Sequence, residues 1–243
     1  MTGKELLAKE KAALKAADEL RAQIRDFPMV KLDKDYNFEG PDGQVFLSDL
    51  FNGRKQLIIY HFMLGPDDRF GCNGCSFVVD NLPSRLCHLN SRDTTLVLVS
   101  RAPLTKTEAF KERMGWNFPW YSSFSSDFNY DFQVTLDPRF SASKYNYNAA
   151  APGTKGEQAG LSVFYKNEDD QIHHKYSTYE RGLDHLLVNH SLLDLTPLGR
   201  QDGVHGTTSW RLHDLYDKDD AKVWGCLGGM AYKILCSAGE ALG

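Results

Sequence analysis

The chain has 243 residues, 42% of them hydrophobic and 25% charged, the balance of an ordinary globular protein. A formal net charge of −4 and an isoelectric point near 6.1 leave no electrostatic footprint for nucleic acid. No stretch approaches the roughly 20 apolar residues needed to span a bilayer, so no membrane partner is expected.

Residues 1–26 lack an apolar core and a small-residue cleavage site and do not read as a secretory signal. The expected compartment is the reducing cytoplasm. Cys72, Cys75, Cys87, Cys226 and Cys236 make an odd set, unlike the disulfide framework of a small secreted protein.

In chain order, residues 3–26 read as a helix, with Leu6, Leu7, Ala13, Leu14, Ala17 and Leu20 forming a modest apolar stripe. Such a helix packs on its own domain or on a second copy of the chain, making a homodimer. Pro28 stops it. Val30–Phe38 alternates like one edge strand, and Gly40–Gln44 carries a tight turn signal. Ser48 is placed to cap a short helical turn, Ser48–Phe51.

Leu57–Phe62 is an apolar, β-branched run short enough to be a buried strand. A turn at Gly65–Asp68 leads to Gly71-Cys72-Asn73-Gly74-Cys75. Phe77, Val78, Leu82 and Leu86 then follow helical spacing, which predicts a helix running to about Asn90. The two cysteines therefore stand where a loop becomes a helix N-terminus. Helix N–H groups and the macrodipole stabilise an anion there, so a thiolate at that point has a lowered pKa. A second thiol three positions on can close back on the first as a reversible disulfide.

Thr94–Ser100 is a second continuous apolar strand and Pro103–Met114 a crossover helix, together a βαβ pattern. Trp116 to Phe132 is rich in aromatics. Leu161–Tyr165 and Ile172–Tyr176 flank Asn167–Asp170 as a hairpin, and Arg181–Leu195 has the spacing of a final amphipathic helix. The order β-α-β-α-β-β-α, with C-x-x-C after the first core strand, is the plan of a thioredoxin-like α/β fold: a central mixed sheet flanked by helices. Residues 1–29 form the N-terminal helix, 30–203 the thioredoxin-like domain and 204–243 a C-terminal extension.

DYNFEGPDG, LIIYHFMLGPD, GCNGCSF, RDTTLVLVSRAPL, KERMGWNFPWYSSFSSDFNYDF, GLSVFY, YSTYERGLD and LDLTPLGR resemble the thioredoxin-like family of predicted dithiol–disulfide oxidoreductases, long catalogued as a conserved domain of unknown function. The similarity runs over about residues 5–202. It implies a redox role for Cys72 and Cys75. Two features depart from thioredoxin itself: Gly71 stands before the pair, with Asn73-Gly74 between. Where thioredoxin sets a cis-proline facing its disulfide, the nearest segment here is Ala159-Gly160-Leu161. A narrower thiol enzyme is therefore expected rather than a broad protein-disulfide reductase.

The catalytic candidates are Cys72 as attacking thiolate and Cys75 as resolving thiol. A thiol or disulfide compound would be the substrate, another thiol system the electron donor, and no bound cofactor is needed. His61 could lower a thiol pKa or shuttle its proton, or be a satisfied core residue. Asp80 could support the thiols or merely sit on a helix surface. Arg101, past the second core strand, could hold an acidic substrate or form an ordinary ion pair. Trp116, Trp120 and Gly160 could line a substrate cleft, with a hydrophobic cover for the sheet as the plainer reading of the aromatics. A rival reading is a zinc module on Cys72, Cys75, Cys87 and His88, although the last two point roughly 100° apart on one helix. A non-catalytic binding protein on the same fold and a thiol peroxidase working through a sulfenic acid are the remaining alternatives.

Overall fold

The computed structural model describes residues 1–139, 144–151, 153–201 and 210–216. After the helix α1 (Gly3–Asp26), the chain forms β1 (Val30–Lys31), β2 (Asn37–Gly40), β3 (Gly43–Phe46), α2 (Leu47–Leu50) and β4 (Gln56–His61). Then follow α3 (Asn73–Asn81), α4 (Cys87–Asn90), β5 (Thr94–Ser100), α5 (Leu104–Arg113), β6 (Trp120–Ser122) and α6 (Phe128–Asp131). Short pairings β7 (Thr135–Leu136), β8 (Lys144–Tyr145), β9 (Asn148–Ala149) and β10 (Gly156–Glu157) precede the hairpin β11 (Gly160–Lys166) and β12 (Ile172–Tyr179). A 3-10 helix over Glu180–Leu186 and α7 (Val188–Leu193) come next.

Eight strands make one sheet in the order β1-β12-β11-β4-β5-β6-β2-β3. β4, β5 and β6 are parallel, joined through α3 and α5, whereas β11 runs antiparallel to β4 and β12 antiparallel to β11. This is the thioredoxin-like arrangement: a βαβ unit and a β-hairpin share a sheet, with the C-x-x-C helix leaving the central strand. β5 is buried at every position because both sheet faces are covered, which is why its centre, Leu96–Val99, reads as an unbroken apolar run. One core, under α3 and α5, contains Tyr60, Phe62, Cys75, Phe77, Leu98, Phe110, Trp116 and Trp120. The other, under α2 and α6, contains Phe38, Leu50, Ile59, Val97, Phe128, Phe132 and Phe164.

Several elements depart from the sequence reading. Val30–Phe38 is not one edge strand: β1 pairs with β12 at one end of the sheet, and β2 pairs with β3 and β6 at the other. The connection must cross the whole sheet, so a single strand cannot serve. Ser48 does not cap α2; the helix starts at Leu47, and the Asp49 carboxylate accepts from the Phe46 amide at 2.7 Å. The helix after the cysteines ends at Asn81, where Leu82 turns extended ahead of Pro83, and α4 starts afresh at Cys87. The final helix is likewise two pieces, broken at non-helical Leu187, with Leu183 and Leu187 in the core and Leu192 exposed. α1 has its expected bounds and no buried residue; of the two packings expected for it, the one on its own domain is limited to its end, where the Lys175 ammonium donates to the carbonyls of Arg25 at 2.7 Å and Phe27.

Of the expected extension, residues 210–216 lie against the domain. Trp210 stacks on Phe77 with ring centroids 4.4 Å apart, Leu212 enters the core, and Asp214 pairs with Arg113 at 2.7 Å. Cys226, Cys236 and the glycine-rich stretch around Trp224–Met230 lie outside the described residues. No helix among the described residues is long and apolar enough to cross a membrane.

Candidate active site

β4 delivers the chain to the carboxyl edge of the sheet, where Gly65–Phe70 turns back into α3. The turn is fastened at both ends. The Gly65 amide donates to the Asp68 carboxylate at 2.6 Å, and the Lys106 ammonium donates to the carbonyls of Pro66 at 2.5 Å and Asp68 at 2.8 Å. Gly71 then passes between two rings; a Cβ there would lie 2.6 Å from Phe110 and 2.8 Å from Phe62, so glycine is required by contact.

Cys72 occupies the N-cap position of α3 and is half-buried, whereas Cys75, on the first turn, is buried. Both are free thiols. Met63 binds the two together: its carbonyl accepts from the Cys72 amide at 3.2 Å, and its amide donates to Cys75 Sγ at 3.4 Å. Gly74 is not required by contact, since a Cβ at that position would meet nothing closer than Cys72 Sγ at 3.8 Å.

The thiols are electrically unequal. Donation from the Cys75 thiol lowers the Cys72 pKa to about 6, helped by the backbone N–H groups of Cys75 and Gly74 and opposed by burial and the Asp68 charge. Cys72 is thus a thiolate at neutral pH. Burial pushes Cys75 well up, and the negative Cys72 adds to the rise, so Cys75 keeps its proton. A half-buried thiolate beside a fully buried, protonated thiol is the distribution of charge needed for one sulfur to attack and the other to follow.

Tyr60 shares a core with the buried thiol, whereas Tyr145 packs against the other core. Tyr60 is fully buried with its hydroxyl oriented to the Cys75 sulfur but not in full hydrogen-bond geometry. Tyr145, within electrostatic reach of Cys75, donates to the Ala159 carbonyl at 2.8 Å. Gly160 begins β11, opposite His61, with the Tyr179 ring 2.8 Å from where its Cβ would stand. It is a close-packed sheet residue at the edge that carries the dithiol.

The other candidates fall elsewhere. His61 follows Tyr60 and so faces the opposite side of the sheet. There it stacks against both Phe128 and Phe132 and bonds Ser162 Oγ at 2.8 Å, in a chain that continues through Ser177 to His174. Burial, and then the neighbouring His174, depress its pKa to about 3, so it is neutral and stands apart from the thiols. Asp80, two turns along α3, accepts from the Trp116 indole at 2.8 Å and meets His213 at 2.9 Å; it anchors packing and does not serve the cysteines.

Arg101 is an ordinary ion pair after all. Its Nε donates to Glu157 at 3.0 Å, another nitrogen donates to the Tyr130 hydroxyl, and Glu157 also accepts from Thr135 at 2.6 Å. Trp116 and Trp120 are core residues rather than cleft walls: Trp120 Nε1 donates to Ser100 Oγ at 3.0 Å, and both rings pack on Phe62. Cys87 and His88 belong to α4, beyond the Pro83 break, and Cys87 is exposed. No group of three or more His, Cys, Asp or Glu side chains among the described residues could hold a metal ion, so the zinc set is not assembled.

Sequence reasoning did not single out Met63, Tyr60 or Tyr145. Met63 acts through its backbone, which leaves no mark in the sequence. Tyr60 was legible only as part of an apolar run, although strand alternation places it on the face opposite His61.

The fold and this site define a thioredoxin-like protein with a C-x-x-C dithiol. The chain belongs to DUF899, described as a bacterial protein family of unknown function, whose sequence profile matches residues 2–216. No curated protein matches it. Among solved structures, peroxidoxin BcpB from Mycobacterium tuberculosis is similar at 13% identity, covering 67% of this chain and 93% of that one, with a TM-score of 0.45. Peroxiredoxin Q from Xanthomonas campestris follows at 14% identity, 63% and 87% coverage and a TM-score of 0.43. Thioredoxin peroxidase I from Plasmodium yoelii is similar at 14% identity, 69% and 90% coverage and a TM-score of 0.42.

Proposed function

We propose that this protein is a dithiol–disulfide oxidoreductase. The carrying observation is the inequality of the two thiols: Cys72 at the α3 N-terminus, ionised near pH 6, and Cys75 one turn on, buried and protonated. The Cys72 thiolate attacks a substrate disulfide, one substrate sulfur leaves as a thiol, and a mixed disulfide forms. Cys75 then attacks Cys72 Sγ, releasing the second substrate thiol and leaving a Cys72–Cys75 disulfide. A separate thiol system reduces that disulfide for the next turnover, as the reducing cytoplasm would provide.

The test is the reduction potential of the pair, read by thiol trapping and mass spectrometry in graded glutathione buffers. A reversible two-electron couple between about −280 and −120 mV supports the reading, because working thiol oxidoreductases occupy that range. Failure of the pair to form a disulfide under any buffer sinks it.

A further inference from the structure

Tyr60 is a buried ionisable side chain beside the dithiol that the exchange described above leaves unused. Alternation along β4 turns it to the face covered by α3, away from His61, and it packs in the same core as Cys75. Its ring is held edge-on to Phe62 with centroids 6.5 Å apart. Its hydroxyl has no access to water and no completed hydrogen bond. A buried hydroxyl left in that state is unfavourable and calls for an explanation.

Cys75 supplies one. In the reduced protein its sulfur is a neutral thiol, a weak acceptor that offers the hydroxyl little. When Cys75 ionises, the sulfur becomes a charged acceptor, and hydrogen bonds to charged groups are the stronger kind. Two donors then converge on it: the Met63 amide, already 3.4 Å away, and the Tyr60 hydroxyl. Tyr145 cannot take this part, since its own hydroxyl is committed to the Ala159 carbonyl.

We propose that Tyr60 is a positioning residue for the resolving step, its hydroxyl donating to the Cys75 thiolate as that sulfur attacks the mixed disulfide. The inference rests on the dithiol exchange proposed above. In the step itself, Cys75 gives up the proton that the departing substrate sulfur takes, and its electron pair forms the bond to Cys72 Sγ. The bond from Cys72 to the substrate sulfur breaks, and the departing sulfur carries away that electron pair and takes up a proton. The substrate is reduced and the two cysteines are oxidised. Tyr60 keeps its own proton throughout.

The experiment compares the full-length protein with Tyr60→Phe. Each is reduced, mixed with oxidised glutathione, quenched with acid at intervals and read by mass spectrometry between pH 6 and 9. The mixed disulfide on Cys72 should form at the same rate in both. Its conversion to the Cys72–Cys75 disulfide should be about tenfold slower in the variant at neutral pH, the loss of one hydrogen bond to a charged sulfur. The pH profile of that conversion should move upward. The melting temperature should hold or rise, because phenylalanine keeps the ring and removes only an unsatisfied hydroxyl.

Equal conversion rates and profiles in the two proteins would overturn the proposal. So would slower conversion with an unmoved pH profile and a lower melting temperature, the pattern of a structural role. A variant that fails to fold contradicts the unpaired hydroxyl from which the inference starts. If the unsubstituted protein forms the mixed disulfide but never the Cys72–Cys75 bond, the oxidoreductase reading itself falls, a result distinguishable from all of these.

Discussion

Met63 holds Cys72 by its carbonyl and Cys75 by its amide, so one peptide neighbour of β4 sets the distance between strand and dithiol. Because both contacts are made by backbone atoms, the spacing tolerates exchange of the Met63 side chain, while anything that moves the loop moves both sulfurs together.

The first consequence is a pH profile. Alkylation of Cys72 by iodoacetamide should rise with a midpoint near 6, whereas an ordinary cysteine titrates near 8.5. The folded pKa lies below the unfolded one, so ionisation of Cys72 stabilises the reduced protein above the unfolded value and contributes nothing once pH falls through about 6. Urea titrations at pH 6 and pH 8 should show this increment, and Cys72→Ala should remove it. A Cys72 midpoint above 8 would contradict the site geometry.

Gly71→Ala should damage the site from behind. Its Cβ would meet Phe110 at 2.6 Å and Phe62 at 2.8 Å, both rings of the packed core. Overpacking of this kind costs about 1–3 kcal/mol, so the unfolding free energy from urea titration should fall by that amount. Cys72 should also lose part of its acidity, since the loop must retreat from the α3 N-terminus. Gly74→Ala, whose Cβ meets nothing closer than Cys72 Sγ at 3.8 Å, serves as the contrasting substitution.

His61→Leu should separate packing from chemistry. It breaks the bond to Ser162 in a buried chain and so should cost about 1–3 kcal/mol in chemical denaturation. The Cys72 alkylation midpoint should stay where it is, because the imidazole faces the other side of the sheet. A shifted midpoint would restore His61 to the dithiol's machinery.

Trp210→Ala should destabilise the domain by about 2 kcal/mol, the loss of a half-buried aromatic stacked on Phe77. Phe77 lies on α3, two residues after Cys75, so the reduction potential is worth measuring on the same sample. Unchanged stability in thermal melts would mean that the Trp210–Phe77 stack contributes nothing to the core.

The sequence alone was sufficient wherever a property is local. The β-branched run of β4 and the continuous apolar β5 marked buried strands, and glycine-rich spacing before a helical pattern placed Cys72 at a helix start. Those signals require only the periodicity of strands and helices and the donors exposed at a helix N-terminus. The boundaries that went astray did so through competing local effects, as at Pro83, or because Val30 and Phe38 belong to opposite ends of one sheet.

What the tertiary structure alone decided was which face each side chain turns to and what it meets there. Tyr60 and His61 are neighbours in sequence, yet the pleat sends one to Cys75 and the other to Phe128. Arg101, Asp80, Trp116 and Trp120 had plausible positions for a site, but each found its partner in a segment far along the chain: Glu157, His213, Asp80 and Ser100. Spacing fixes a side chain's direction only relative to its own element. Whether that direction leads to a thiol, an ion pair or a core depends on long-range contacts, which no local pattern contains.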